Sequence, residues 1–148
     1  MSLHSDIEKW ITDTLSIPSE IFNNLPMCPY AKQAWFSHKV LILDSENNED
    51  LLKLLQKYEV IIYAYNPKEV TPEELYTKCK KISNDNIVAL DDHPDYKESV
   101  QDINLNNGKY ALILVQERAK LDQARKILKS KGYYKNWSNN YLKEVLSA

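Results

Sequence analysis

The sequence predicts a single α/β domain, a layered sandwich of four strands with extra helices at its N- and C-terminal ends. Three observations predict it. Segments of strand-like and helix-like patterning alternate along the chain, as expected when helices pack on a sheet. The chain has 148 residues, a length that favours one core large enough to stand without staples. Its 43% apolar and 27% charged residues are ordinary for a globular protein. No internal repeat, low-complexity tract or linker divides residues 1–148.

Taken in order, Ile7, Trp10, Ile11 and Leu15 recur at three- and four-residue spacing, so Ser5–Ser16 reads as an amphipathic helix. Ser5 is its expected cap, with Glu8 completing a capping box. Ile17–Met27 contains Pro18 and Pro26 and reads as turns with a short helical piece. Pro29 suits the first position of a short helix reaching Phe36, which makes Cys28 its N-cap. Lys39–Asp44 is a compact aliphatic strand. Glu49–Tyr58 is a helix with Leu51, Leu52, Leu54 and Leu55 on its apolar face. Glu59–Tyr65 is β-branched and aromatic, hence a strand, and Asn66-Pro67 stops it. Thr71-Pro72-Glu73-Glu74 opens a helix to about Ile82, with threonine cap, proline at the first position and glutamate at the third. Asn86–Leu90 and Lys109–Gln116 are the third and fourth strands. Glu117–Lys131 is a helix ended by Gly132, and Ser138 caps a last helix to about Leu146. Four strands with helices on one face resemble a ferredoxin-like arrangement, permuted in that the first strand precedes an extra helix.

Composition excludes several functions. A formal charge of −2 gives no electrostatic footprint for non-specific binding to nucleic acid or an anionic membrane. Arg118 and Arg125 are the only arginines, too few for a surface of bidentate phosphate forks. With only Gly108 and Gly132 as glycines, no glycine-rich phosphate loop or dinucleotide fingerprint is present. The longest apolar runs, such as Ala111–Val115, are too short to cross a bilayer. The polar start Met1–Asp6 lacks the basic and apolar regions of a signal peptide. Together with two cysteines, Cys28 and Cys79, that a chain of this size need not pair, this indicates a reducing cytosol. The excess of lysine over arginine, frequent asparagine and scarce glycine suggest an AT-rich bacterial or phage genome.

Two turns carry candidate chemistry. In Cys28-Pro29-Tyr30-Ala31-Lys32 a thiol at a helix N-terminus would meet free N–H groups and the positive dipole end, which favour thiolate, and Lys32 would add to that. The alternative is a small apolar packing residue beside Leu25 and Met27. Cys28-Pro29-Tyr30-Ala31 resembles a glutaredoxin motif with its second cysteine replaced by alanine, but the buried strand that should precede it is lacking. The second turn, Asp91-Asp92-His93-Pro94-Asp95-Tyr96, follows a strand, where α/β folds place sites. Asp92 and Asp95 could set the tautomer and basicity of His93 for a general base; equally, Asp-His-Pro-Asp is good turn chemistry. His4, His38 and His93 are scattered and no His-x-x-x-His or Cys-x-x-Cys pair exists, so no metal site is assigned and no cofactor is named. Arg118 and Arg125 lie seven apart on one helical face, suited to an anion or to solvent. The aromatic run Tyr133-Tyr134-Lys135-Asn136-Trp137 with Tyr141 could stack bases, but lacks the basic groove such binding needs.

At Cys28-Pro29-Tyr30-Ala31-Lys32 and His93-Pro94-Asp95-Tyr96 the chain resembles an uncharacterised bacterial family, the domain of unknown function numbered 1415, whose members carry a Cys-Pro-Phe-Ala turn and a later His-Pro-Asp-Tyr segment. Element order and rough spacing are similar from Ile7 to Ala124. The family's Asn-Arg-Ser-Pro-Tyr-Pro stands here as Asn106-Asn107-Gly108-Lys109-Tyr110-Ala111, and its Arg-Glu as Glu117-Arg118. The resemblance implies a shared fold and a shared Cys28/His93 locus, and supplies no reaction. Two functions follow as expectations. One is a small-molecule or catalytic site with Cys28 as nucleophile or ligand, His93 as base, Lys32 or Arg118 as anion anchor, and Tyr30 and Asp95 assisting. The other is a non-catalytic protein–protein interaction or accessory module, motivated by the tyrosine-rich surface.

Overall fold

A computed structural model of the chain describes residues 2–44, 50–96, 99–100, 103–104 and 106–146. Its helices are α1 (Leu3–Trp10), α2 (Ala31–Phe36), α3 (Leu51–Leu54), α4 (Pro72–Ile82), α5 (Arg118–Ser130) and α6 (Asn139–Leu146). The main strands are β1 (Val40–Leu43), β2 (Val60–Tyr65), β3 (Ile87–Asp92) and β4 (Ala111–Glu117), ordered β1-β2-β4-β3 in one sheet. Two-residue ladders join Pro18–Ser19 to Leu25–Pro26 and Ser99–Val100 to Ile103–Asn104.

β1 runs parallel to β2, while β4 is antiparallel to both β2 and β3. β2, α4 and β3 therefore form a split β-α-β unit with β4 inserted between its two parallel strands, the unit that ferredoxin-like sheets contain. β1 is added in parallel at the β2 edge through α3. Helices cover both faces of the sheet, giving three layers where the sequence suggested helices on one face. The reason lies in β2, whose Val60-Ile61-Ile62-Tyr63-Ala64-Tyr65 is apolar at nearly every position and so requires cover on both sides. On the first face Ile62, Ala64 and Leu112 meet Ile7, Ile11 and Phe22. On the second, Ile61, Tyr63 and Ile113 meet Leu55 of the α3 end and Leu75 and Cys79 of α4.

Several boundaries move for local reasons. α1 starts at Leu3 because Ser2, not Ser5, caps it, its Oγ accepting from Ser5 N at 3.1 Å. The chain then continues as a π-helical turn, Ile11–Leu15, which keeps Ile11 and Leu15 on the core. α2 starts at Ala31 with Tyr30 at the cap position, so Cys28 lies outside the helix rather than capping it. Cys28 N donates to Leu15 O at 2.8 Å, pinning the turn to the end of the N-terminal helix. α3 is one turn, capped by Asp50 through Leu52 N and Lys53 N; the expected start at Glu49 lies outside the described residues. The Thr71 capping box forms in full, Glu74 N donating to Thr71 Oγ1 at 3.1 Å and Thr71 N to Glu74 Oε1 at 3.3 Å. Gly132 follows α5 at φ +78°, and a Cβ there would lie 2.6 Å from Asn23 Nδ2. Ser138 caps α6, its Oγ accepting from Tyr141 N at 3.2 Å. β3 extends to Asp92, two residues beyond the expected end, which moves Asp91 and Asp92 from a loop into the sheet.

Candidate functional site: a first-face cleft floored by Asp92

Strand alternation decides where the carboxylates of β3 point. Leu90 pairs with Leu114 and Asp92 with Leu112, and both leucines belong to the first-face cluster. Leu90 and Asp92 therefore stand on that face. Asp92 is only 5% exposed. Its Oδ2 accepts from Asn107 N at 3.1 Å and Asn107 Nδ2 at 2.7 Å, while its Oδ1 has no hydrogen-bond partner. Burial pushes its carboxyl up to about 6, against the opposing pull of the Asn107 bonds. Burial also raises Asp91, and the Glu144 carboxylate adds to that.

His93 turns away from this face. It is 2% exposed, and its ring bonds Val70 O through Nε2 at 2.6 Å and Asp95 N through Nδ1 at 3.1 Å. A carbonyl only accepts and an amide N–H only donates, so the neutral tautomer with hydrogen on Nε2 satisfies both contacts. Asn106 Nδ2 then donates to His93 O at 3.0 Å and Tyr96 O at 2.6 Å. The His-Pro-Asp-Tyr segment is thus tied to the entry of α4, and both ring nitrogens are engaged with backbone. That arrangement offers no free nitrogen for a base.

Cys28 lies on the opposite side of the sheet from the Val70 side chain, within the first-face cluster. Burial pushes its thiol up, and the N–H groups of Tyr30 and Ala31 offset this only in part. The expected activation is reversed: α2 starts two residues later, at Ala31, and desolvation of the thiolate outweighs two backbone amides.

Cys28, Tyr30 and Arg118 line one cleft; His93, Lys32 and Asp95 are outside its lining. Lys32 and Asp95 are exposed. Arg118 is half-buried and donates to Asn84 O at 3.1 Å and Ile87 O at 3.3 Å, fastening the turn between α4 and β3. Arg125 donates to Val145 O at 3.2 Å, so it secures α6. His4 packs on Trp35 with ring centroids 4.7 Å apart, and His38 occupies a left-handed turn after α2 at φ 58°. Among the described residues no group of three or more His, Cys, Asp or Glu side chains is placed to hold a metal ion.

The cleft measures about 1310 Å³ and runs from the first face of the sheet over the edge of β3 to α4. Val60, Ile62, Leu90 and Leu114 form its floor, with Asp92. Trp10, Met27 and Cys28 of the N-terminal segment also line it, as do Trp137, Tyr141 and Glu144 of the C-terminal segment. The C-terminal aromatics form a packed wall: Tyr133 stacks on Phe22 at 5.1 Å and Trp137 on Tyr141 at 5.1 Å between centroids. Each such pair contributes about 1 kcal/mol beyond burial. Tyr133 also donates its hydroxyl to Met27 O, linking the wall to the Cys28 turn. The indole nitrogens of Trp10 and Trp137 are buried and, like Asp92 Oδ1, have no hydrogen-bond partner.

In the sequence Asp92 stands out only as a neighbour of His93, Trp10 only as part of the apolar face of the N-terminal helix, and Glu144 not at all. Alternation along Val88, Leu90 and Asp92 was the available signal. Comparison with protein-family models, curated proteins and solved structures finds no match for this chain. No helix among the described residues is long and apolar enough to cross a membrane.

Proposed function

We propose that the protein binds an apolar small molecule in the first-face cleft. The observation that carries this reading is that three residues of one mainly apolar lining, Asp92, Trp10 and Trp137, each hold a buried polar atom without a hydrogen-bond partner: Oδ1, Nε1 and Nε1. Each costs roughly 1–3 kcal/mol when buried without a partner, and buried polar groups are otherwise paired almost throughout folded proteins. Apolar walls with a few directed polar groups are the usual make-up of a ligand site. Cys28 and Tyr30 belong to the wall, while His93 holds the loop beyond the floor. Kinship with the domain of unknown function 1415 stays part of the proposal, resting on Cys28-Pro29-Tyr30-Ala31 and His93-Pro94-Asp95-Tyr96. So does a place in the cytoplasm, supported by the free thiols of Cys28 and Cys79.

The test is titration with N-phenyl-1-naphthylamine, an uncharged apolar fluorophore whose emission rises in a dry site. Saturable one-to-one binding is expected. Leu90→Trp, which fills the cleft from its floor, should abolish that binding while leaving the circular-dichroism spectrum unchanged. Equal binding by the two proteins would remove the cleft as the site.

A further inference from the structure

We infer that the cleft selects a ligand whose apolar body carries a protonated amine, with the amine seated on Asp92 Oδ1. This rests on the reading of the cleft as a small-molecule site and names the chemical class it takes.

The polarity of the floor comes first. Across the first face the four strands present Val40 and Ile42, then Val60, Ile62 and Ala64, then Leu112, Leu114 and Gln116, then Val88, Leu90 and Asp92. Asp92 is the only ionisable side chain among these inward positions. One carboxylate oxygen is occupied by two donors from Asn107, which fixes the orientation of the group. The other oxygen is an acceptor, so its complement is an N–H or O–H donor on the ligand. A cationic N–H donor forms a shorter bond, roughly twice as strong as a neutral one.

The surroundings share that sign. Glu59, Glu73, Asp85, Asp91 and Glu144 also line the cleft, against Lys80 and Arg118. Both cations are committed elsewhere: Arg118 to the carbonyls of Asn84 and Ile87, and Lys80 above the Tyr76 ring at 5.1 Å. At the end of the cleft near α6, Tyr96 donates its hydroxyl to Glu144 Oε1 at 2.8 Å. An anionic ligand would meet this field at a disadvantage, and a cation would be drawn in. The aromatic lining of Trp10, Tyr30, Trp137 and Tyr141 adds π faces that favour an organic cation. Acceptor atoms on the same ligand would match the Trp10 and Trp137 indole N–H groups.

A matched pair of probes tests this: 2-(2-naphthyl)ethylamine, protonated at neutral pH, and 2-(2-naphthyl)ethanol, its neutral counterpart. Affinities are measured by isothermal titration at pH 7.5 on the full chain and on Asp92→Asn. The unaltered protein should bind the amine about tenfold or more tightly than the alcohol. Asp92→Asn should bring the two affinities together by weakening the amine alone. Equal affinities in the unaltered protein would overturn the inference, and so would an amine preference as large in Asp92→Asn as in the unaltered protein. If neither naphthyl probe nor N-phenyl-1-naphthylamine binds either protein, the small-molecule reading itself fails, and this inference with it.

Discussion

Replacing Asp92 with asparagine should stabilise the unliganded protein, and only at neutral and alkaline pH. The carboxyl is raised from the ordinary 3.8 to about 6, chiefly because burial disfavours its charged form. The folded chain therefore keeps this proton to higher pH than the unfolded chain does. Between about pH 4 and 6 the folded state binds more protons, so raising pH through that window removes stability. The rise from 3.8 to about 6 corresponds to roughly 3 kcal/mol at 1.36 kcal/mol per pH unit. Asp91 adds to the effect and His93 opposes it, but both remain in the variant. Asparagine keeps the shape, and its amide oxygen can still accept both Asn107 donors. The assay is urea unfolding of both proteins at pH 4 and pH 8. Subtraction cancels the other titrating groups, so the difference between the proteins should grow by up to about 3 kcal/mol at pH 8. A variant less stable at pH 8, or a gain that does not change with pH, would refute the reasoning.

Two further outcomes follow from the same geometry. Because burial raises the Cys28 thiol, iodoacetamide should label native Cys28 more slowly at pH 8.5 than it labels a free cysteine, as read by peptide mass mapping; labelling faster than free cysteine at neutral pH would restore an activated thiol. His93→Ala should lower stability by about 3 kcal/mol in urea unfolding, since Val70 O and Asp95 N lose their shared partner in a buried place. Fluorophore binding by the folded variant should persist because His93 is outside the cleft lining; a loss below about 1 kcal/mol would show that the ring does not hold this loop.

The parts of the fold written in local chemistry were legible. Thr71-Pro72-Glu73-Glu74 carries its own capping box, and Gly132 ends α5 in a backbone conformation that suits glycine. The aliphatic and aromatic strands were recognisable from residue type alone. What escaped depended on partners distant in sequence. Ser5 looked like a better cap than Ser2 because the periodic residues begin at Ile7, yet the helix gains a further turn from Ser2. Pro29 read as a helix start, but Cys28 N is held by Leu15 O, so the chain completes a turn before α2 begins. That Cys28 lines the cleft and His93 does not was hidden for a related reason. Both turns are locally distinctive, but which face each side chain takes is set by tertiary packing. The His93 ring bonds Val70 O and Asp95 N, contacts that no spacing in the sequence announces.

Asp92 is where stability and function diverge. A carboxylate with one unpartnered oxygen on an apolar floor weakens the free fold, and asparagine would remove the buried charge while its amide oxygen keeps the Asn107 bonds. Groups that a core does not need, and that cost stability there, are characteristic of binding sites, where affinity is gained at the expense of the unliganded state. The two Asp92→Asn experiments therefore carry opposite signs by design: the substitution strengthens the empty protein at pH 8 and weakens its hold on the amine. A buried aspartate with no ligand would show the pH-dependent gain and no loss of amine preference, and an exposed one would show no such gain. Only an acceptor kept for a cationic ligand predicts both.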